Sequence, residues 1–213
     1  MSSIAAGVEV AKTVTIAAAL GFVPVAIHFH LFDIVARADG PVGAEEVLAF
    51  YHGSVEKSRE TDVPGPRLVD DAPFAMAGLG FVDMVDDGLY CANAITRHLE
   101  ATPSSQHGAL HFTTEALWAS AFLMRKLQAE TFKYPFDELQ TPTQFAYELI
   151  GRSDLANQHT YSIMEAEGRM DSFNHFMVRP TTGQIVGQIN IAKESSSKVD
   201  HTLRARVQLC PYS

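Results

Sequence analysis

Cysteine is scarce in this sequence. Only Cys91 and Cys210 occur among its 213 residues, and no secretory pattern accompanies them. Two cysteines so far apart in the chain indicate neither a disulfide framework nor a clustered metal site. The sequence therefore favours a reducing, cytoplasmic location, and we expect no bound metal.

Positive charge is also in short supply. Lysine and arginine together number 16 against 25 acidic residues, which gives a formal net charge of −9. A surface with this balance produces no basic field that would attract a polyanion, so nucleic acid is not an expected partner. A hydrophobic content of 46% with 19% charged residues is typical of a folded globular protein.

The chain lacks a long uninterrupted hydrophobic run. The segment 4–34 is strongly apolar, but polar or helix-breaking residues divide it before about 20 apolar residues accumulate. These interruptions are Glu9, Lys12, Pro24, His28, His30 and Asp33. We therefore expect helices in this segment and no association with a membrane.

Hydrophobic spacing predicts a mainly α fold. Apolar residues recur at separations of three and four in several segments, which is the pattern of a helix with one buried face. This spacing predicts helices over 7–22, 24–38, 43–51 and 67–79, with Pro73 arguing against an unbroken last helix. The turn Asp86-Asp87-Gly88 between short apolar stretches predicts a β-hairpin over 81–91.

The first predicted helix carries a stripe of small residues, including Ala17, Ala18 and Gly21. Such a stripe would let a second backbone approach closely. A partner subunit and the rest of the same chain are equally suitable as the surface that covers it.

Three helices followed by a hairpin is the order of a winged helix, an architecture that often binds DNA. The helix predicted over 67–79 argues against that role, because it carries Asp70 and Asp71 and only Arg67 as a cation. A phosphate backbone would be repelled there.

A family resemblance rests on the segments "LFDIVARADGPVGAEEVLAF" and "RLVDDAPFAMAGLGFVDMVDDGLYCANAITRHL". Together they resemble the N-terminal dimerisation domain of plant and fungal O-methyltransferases, in which a winged helix serves dimerisation. The segments "FKYPFDELQTPTQFAYEL" and "EAEGRMDSFNHFM" are similar to the helical connector of that family. The resemblance covers roughly residues 20–180 and implies a homodimer.

The resemblance divides the chain into four expected parts: an N-terminal dimerisation helix, a winged-helix-like domain with a small hairpin, a helical connector that lines a substrate pocket, and an irregular tail. Their ranges are 1–23, 24–105, 106–180 and 181–213. In the family, a glycine-rich turn that holds S-adenosylmethionine follows the connector. After Pro180 this sequence contains only Gly183 and Gly187 and no such turn, so we expect a truncated relative without a cofactor.

The substrate-binding candidates are apolar. The resemblance implies that Phe173 and Met177 match the family's substrate-packing phenylalanine and methionine. A helix predicted over 113–132, with Thr113 or Thr114 as its N-cap, contributes further candidates. These are Trp118, Phe122 and Met124. Aromatic and thioether side chains suit a small hydrophobic or aromatic substrate, but the same residues would equally serve to fill a core.

The candidates for catalysis are histidines and one carboxylate. His30 and Asp33 lie three apart on a predicted helix, a spacing that would orient the imidazole. His107 and His111 flank the entry to the Trp118 helix, and His111 is four residues before Glu115. A surface or capping role is the alternative for each, and the single pair His107 and His111 is a weak zinc signal.

Three functional hypotheses follow. The chain is a cofactor-independent enzyme of secondary metabolism, a cyclase, isomerase or pericyclase acting on a polyketide-like or aromatic substrate in a relic methyltransferase pocket. Alternatively, it is a non-catalytic dimerisation or substrate-binding partner of a methyltransferase. The third hypothesis is a truncated, inactive methyltransferase fragment. We favour the enzyme, because the connector's aromatic and methionine positions persist without a donor domain.

Overall fold

The computed structural model of the protein describes residues 3–54 and 65–177. Helices dominate these residues, and two strands form one hairpin. The helices are α1 Ser3–Leu20, α2 Val23–His28, α3 Leu31–Arg37, α4 Ala44–Ser54, α5 Pro66–Gly78, α6 Ala94–Ala101, α7 Pro103–His111, α8 Leu117–Ala129, α9 Pro142–Leu149, α10 Ser153–Ala156, α11 Thr160–Ala166 and α12 Met170–Met177. The strands are β1 Asp83–Asp86 and β2 Leu89–Cys91. The predicted mainly α fold class is confirmed, while the tail predicted over 181–213 lies outside the described residues.

The helix predicted over 24–38 is wrong as one continuous element. The chain breaks between α2 and α3 at His30, whose φ of 54° is left-handed. This conformation costs a residue other than glycine about 1–2 kcal/mol. The break lets each short helix direct its own apolar side chains into the core, including Ala26 from α2 and Phe32 from α3, both 1% exposed.

The helix predicted over 67–79 is confirmed as α5, which runs unbroken through Pro73. Its buried face, which includes Val69 and Met76, packs into a core shared with α2, α3 and α4. Phe32 lies in the same core and contacts the ring of Phe81 with a centroid distance of 5.9 Å. The first part of the described chain is therefore held together by a single hydrophobic cluster.

The hairpin predicted over 81–91 is confirmed. Strands β1 and β2 pair antiparallel, with Met84 opposite Tyr90, and Gly88 takes the positive φ of 69° that the turn requires. Tyr90 is 4% exposed and also bridges to Val42, with both backbone N–H to carbonyl distances at 2.9 Å. The next helix, α6, is capped by Asn93, whose side chain accepts hydrogen bonds from the first-turn backbone.

A π-helical turn, Phe112–Ala116, joins α7 and α8 into one continuous helical segment. The predicted helix start with an N-cap at Thr113 or Thr114 is wrong. The Thr113 hydroxyl donates back to the carbonyl of Ala109 at 2.7 Å, and that of Thr114 donates to Leu110 at 2.8 Å. Both threonines therefore lie inside a continuous helical segment, where such bonds satisfy their hydroxyl groups.

Helix α12 packs closely on α7. A Cβ atom at Gly108 of α7 would lie 2.8 Å from the Phe176 ring of α12. Only glycine allows this approach without displacement of the ring. Helices α9, α10 and α11 form a second, smaller core around Tyr147, Leu155 and Ile163.

Helix α1 is largely exposed. Ile4, Val10 and Val14 are 81%, 63% and 65% exposed. Among the described residues, no helix combines the length and the apolarity that crossing a membrane requires.

Candidate active site

The predicted pair His30 and Asp33 forms, but it lies at the surface. The Nδ1 atom of His30 is 3.2 Å from Oδ2 of Asp33, and the His30 side chain is 61% exposed. The backbone break at His30 places the imidazole before α3 rather than within a helix. This pair could move a proton only with a substrate bound on the outside of the core.

His107 ties α7 to α12. Its Nδ1 atom is 2.9 Å from the hydroxyl oxygen of Ser172, and its ring stacks on His175 with a centroid distance of 5.0 Å. Burial lowers the pKa of His107, and the neighbouring His175 lowers it further. The imidazole is therefore favoured in its neutral form inside this helix interface.

His111 lies against aromatic side chains of α12. Its ring centroid is 5.0 Å from that of Phe173 and 6.0 Å from that of Phe176. Its Nδ1 atom is buried and has no hydrogen-bond partner within residues 3–54 and 65–177. Burial lowers the pKa of His111, and the positive charge of Arg169 adds to this effect. A neutral, partly enclosed imidazole of this kind suits general acid–base chemistry near pH 7.

Four charged or polar side chains form what we call the Arg169 cluster: Glu115, Tyr147, Glu167 and Arg169. One terminal nitrogen of Arg169 donates to Glu115, and the other donates to Tyr147 Oη at 2.8 Å and to Glu167 Oε2 at 2.6 Å. The Tyr147 hydroxyl in turn donates to Glu167 Oε2 at 2.6 Å. The cluster thereby joins the π-helical turn, α9 and the residues before α12.

Burial changes the proton affinities in this cluster. It raises the pKa of the Glu115 carboxyl, whose side chain is 9% exposed, and the adjacent Arg169 guanidinium opposes that rise. Burial and the hydrogen bond to Glu167 raise the pKa of Tyr147 to about 12. The phenol therefore keeps its proton and acts as a donor at neutral pH.

The expected pairing of His111 with Glu115 is replaced by the ion pair between Glu115 and Arg169. The π-helical turn begins directly after His111 and includes Glu115, so the usual i,i+4 register between them is lost. Arg169 and Tyr147 were not among the predicted site residues. The one available signal was a glutamate within an otherwise apolar helical segment, because a buried carboxylate requires a partner.

The predicted substrate-binding residues separate into two groups. Trp118, Phe122 and Phe173 are half-buried, and the Trp118 ring lies 5.2 Å from Phe122 and 6.0 Å from Tyr147, centroid to centroid. Met124 and Met177 are 57% and 54% exposed. The structure thus brings Trp118 against Tyr147 of the Arg169 cluster and Phe173 against His111, and it leaves the two methionines exposed. The role of all these residues in substrate binding stays a prediction.

The residues that the structure describes do not fit an S-adenosylmethionine cradle. The only strands among them are the antiparallel pair β1 and β2, and no glycine-rich turn joins a parallel strand to a helix. No group of three or more His, Cys, Asp or Glu side chains in this part of the chain could hold a metal ion.

The free energy of unfolding should fall as the pH drops below about 6.5. The pKa values of His107 and His111 are held below their ordinary value of 6.5, so the unfolded chain binds more protons than the folded chain in acid. The contribution of these two histidines to stability is fully present above their pKa in the unfolded chain. It is lost as the pH falls through their lower pKa values in the folded chain. The slope per histidine is at most about 1.4 kcal/mol per pH unit, and it is smaller for the more exposed, solvent-screened His107.

Urea unfolding between about pH 5 and pH 7.5 measures this dependence. The double substitution His107→Gln and His111→Gln should flatten the profile, whereas His98→Gln, at an exposed position, should not. An identical slope in the double variant and the parent would contradict the assignment.

The chain is similar in sequence to fungal proteins named as O-methyltransferases. It is 48% identical over 185 residues to the O-methyltransferase aunE of Aspergillus niger, and 50% identical over 173 residues to the O-methyltransferase bfoE of Aspergillus brasiliensis. Both matches include 81% of this chain, but only 47% and 45% of the respective relatives. The chain therefore spans about half the length of the curated relatives it matches. No family model matches the sequence.

The fold is similar to part of two solved structures. One, described as a pericyclic reaction enzyme, superposes with a TM-score of 0.60 at 18% identity, covering 79% of this chain and 39% of that one. The other, LepI in complex with SAM, gives a TM-score of 0.65 at 16% identity, covering 88% and 43%. The resemblance to O-methyltransferases is thus confirmed in sequence over most of this chain, and its fold is one that occurs within LepI and the pericyclic enzyme.

Proposed function

We propose that this chain is a cofactor-independent enzyme of secondary metabolism that cyclises or isomerises an aromatic or polyketide-like substrate by acid–base catalysis at His111. The observation that carries the proposal is the buried Nδ1 atom of His111, which lies near Arg169 and has no hydrogen-bond partner among the described residues. The sequence relatives are named as O-methyltransferases, and one structural neighbour is described as a pericyclic reaction enzyme. These names support an enzymatic role but do not specify the reaction.

The proposed reaction requires neither a methyl donor nor an oxidant. His111 takes a proton from a carbon next to a substrate carbonyl, and the resulting enolate is protonated again at another atom by the same imidazole. The substrate is thereby isomerised with no net gain or loss of atoms. Trp118 and Phe173 would hold the substrate in a reactive orientation. Orientation alone can lower an activation barrier by about 7–11 kcal/mol in well-oriented cases.

A second function is favoured by the identity of about half of the aligned residues to named O-methyltransferases. In this alternative the chain forms or completes a substrate pocket for methyl transfer, as a dimerisation or substrate-binding partner. The donor would then bind outside residues 3–54 and 65–177, which do not fit it. An inactive methyltransferase fragment is the remaining alternative.

Incubation of the purified full chain with aromatic polyketide intermediates, with and without S-adenosylmethionine, separates these functions. A product with the mass of the substrate, formed equally in both samples, supports the cofactor-independent enzyme. A methylated product that requires the donor, or stimulation of an added O-methyltransferase, supports the second function. No change in either assay would leave the inactive fragment.

We also propose that α1 contributes to a homodimer. Its exposed side chains are mostly apolar, and Glu9 and Lys12 are the charged residues within it. The substitution Val14→Glu should raise the dimer dissociation constant at least about 100-fold, because an unpaired carboxylate would be buried in the interface. Size-exclusion chromatography with light scattering measures this change, and Gln128→Glu, at an exposed position of α8, is the control. A Val14→Glu protein that stays dimeric would remove α1 from the interface.

A further inference from the structure

Three buried nitrogen atoms near the Arg169 cluster have no hydrogen-bond partner within the described part of the chain. They are Nδ1 of His111, Nε1 of Trp118 and Nε of Arg169. The indole and guanidinium nitrogens are donors only, so two of the three positions require an acceptor. Buried polar groups in proteins nearly always have a partner, and an unmatched donor therefore calls for an explanation.

The three atoms belong to neighbouring side chains. Arg169 donates to the hydroxyl of Tyr147 at 2.8 Å, and the Tyr147 ring lies 6.0 Å from that of Trp118. His111 packs on Phe173, whose backbone N–H donates to the carbonyl of Arg169 at 3.1 Å. The three side chains are thus linked through Tyr147, which Trp118 and Arg169 both contact, and through Phe173.

The charge around Arg169 selects the kind of acceptor. Its single guanidinium already binds two carboxylates, Glu115 and Glu167. A further carboxylate or phosphate would meet an excess of negative charge, so an anionic ligand is disfavoured. A neutral carbonyl oxygen offers two lone pairs and adds no net charge.

The surrounding side chains suit a flat ligand. Trp118 contacts Phe122, and Phe173 contacts Tyr161 with a centroid distance of 5.6 Å. Tyr161 is 52% exposed, so the aromatic side chains next to the Arg169 cluster extend to the surface at this point. Aromatic rings stack favourably on one another without demanding hydrogen bonds of their own.

We infer that this site binds an uncharged aromatic carbonyl compound, whose carbonyl oxygen accepts hydrogen bonds from the N–H groups of Trp118 and Arg169. This inference rests on the proposed function, since it names the substrate class of the same site. It excludes aromatic carboxylates and hydrocarbons as preferred ligands.

Three probes of nearly the same shape test the inference: 2-acetylnaphthalene, 2-ethylnaphthalene and 2-naphthoate. Isothermal titration calorimetry should give a dissociation constant for the ketone at least about tenfold lower than for either of the others. The chain has a single tryptophan, so its indole N–H gives one resonance in a proton–nitrogen NMR spectrum. That resonance should move downfield with the ketone and not with the ethyl compound.

The substitution Trp118→Phe removes one donor and keeps an aromatic ring. Because the indole N–H has no partner among the described residues, its loss should leave the thermal midpoint unchanged and weaken ketone binding about tenfold. Affinity for 2-ethylnaphthalene should stay the same. The control Tyr134→Phe removes a hydroxyl from a ring that is 75% exposed and should change none of these values.

Equal affinities for ketone and ethyl compound, tighter binding of the carboxylate, no binding of any probe, or unchanged ketone affinity in Trp118→Phe would each overturn the inference. Ketone-selective binding without conversion of any substrate would uphold it and refute the proposed catalysis. Catalysis without ketone-selective binding would uphold the proposed catalysis and refute the inference.

Discussion

Replacing Arg169 by glutamine is expected to lower the free energy of unfolding by about 3–5 kcal/mol, the range for removing one partner of a buried ion pair. The reason is the environment of Glu115, whose side chain is only 9% exposed and is bound by the guanidinium. Without Arg169 this carboxylate would remain buried with no cation to balance it. The measurement is urea unfolding of both proteins at neutral pH.

The free energy of unfolding that is lost on replacing Arg169 should depend on pH. Burial raises the pKa of Glu115, and removal of Arg169 would remove the interaction that opposes this rise. A carboxyl with a raised folded pKa is protonated at low pH, so the difference between variant and parent should shrink as the pH falls towards about 4.5. The double variant Glu115→Gln and Arg169→Gln should recover part of the stability, because no buried charge remains at residue 115.

Arg37→Gln provides the matched control. Arg37 pairs with Glu100 at 3.0 Å, but its side chain is 72% exposed. The loss there should be less than about 1 kcal/mol. If both substitutions cost the same, Arg169 would not have the structural importance assigned to it.

The helices and the hairpin could be predicted because their signals are local. The spacing of apolar residues over 7–22 is sufficient to indicate α1, and Asp87-Gly88 supplies the conformations that the turn between β1 and β2 requires. The break at His30 could not be predicted, since a left-handed backbone is uncommon for any residue other than glycine. It results from burial of the side chains on both sides, which is a property of the folded chain.

The candidate site was predictable only where residue type alone was informative. His111, Trp118 and Phe173 were selected because an imidazole and large aromatic rings are useful in a pocket. His111 does lie against Phe173, and Trp118 lies against Tyr147 of the Arg169 cluster. Arg169 was missed because its partner Glu115 is 54 residues earlier in the sequence. The π-helical turn, which separates His111 from Glu115, has no sequence pattern that single-sequence reasoning detects.

His111→Asn is expected to lower the turnover number for the proposed isomerisation by about 10²–10⁴-fold, the range for loss of a general acid–base group. Asparagine keeps a polar side chain at this position but cannot take up a proton near neutral pH. Because the same side chain also packs on Phe173, the thermal midpoint of the variant must be measured alongside its activity. His98→Asn, in an exposed pair with Ser105, is the control.

The pH dependence distinguishes a catalytic His111 from a merely structural one. Burial and the charge of Arg169 lower the pKa of His111, so its neutral, proton-accepting form persists below the ordinary value of 6.5. Turnover should therefore hold from neutral pH to somewhat below 6.5 and then decline as the imidazole becomes protonated. In His111→Asn this acidic limb should disappear from the residual activity. If His30→Asn abolishes turnover while His111→Asn retains both the rate and the acidic limb, catalysis belongs to the surface pair of His30 and Asp33. The half-buried His111 would then serve only to hold α7 against α12.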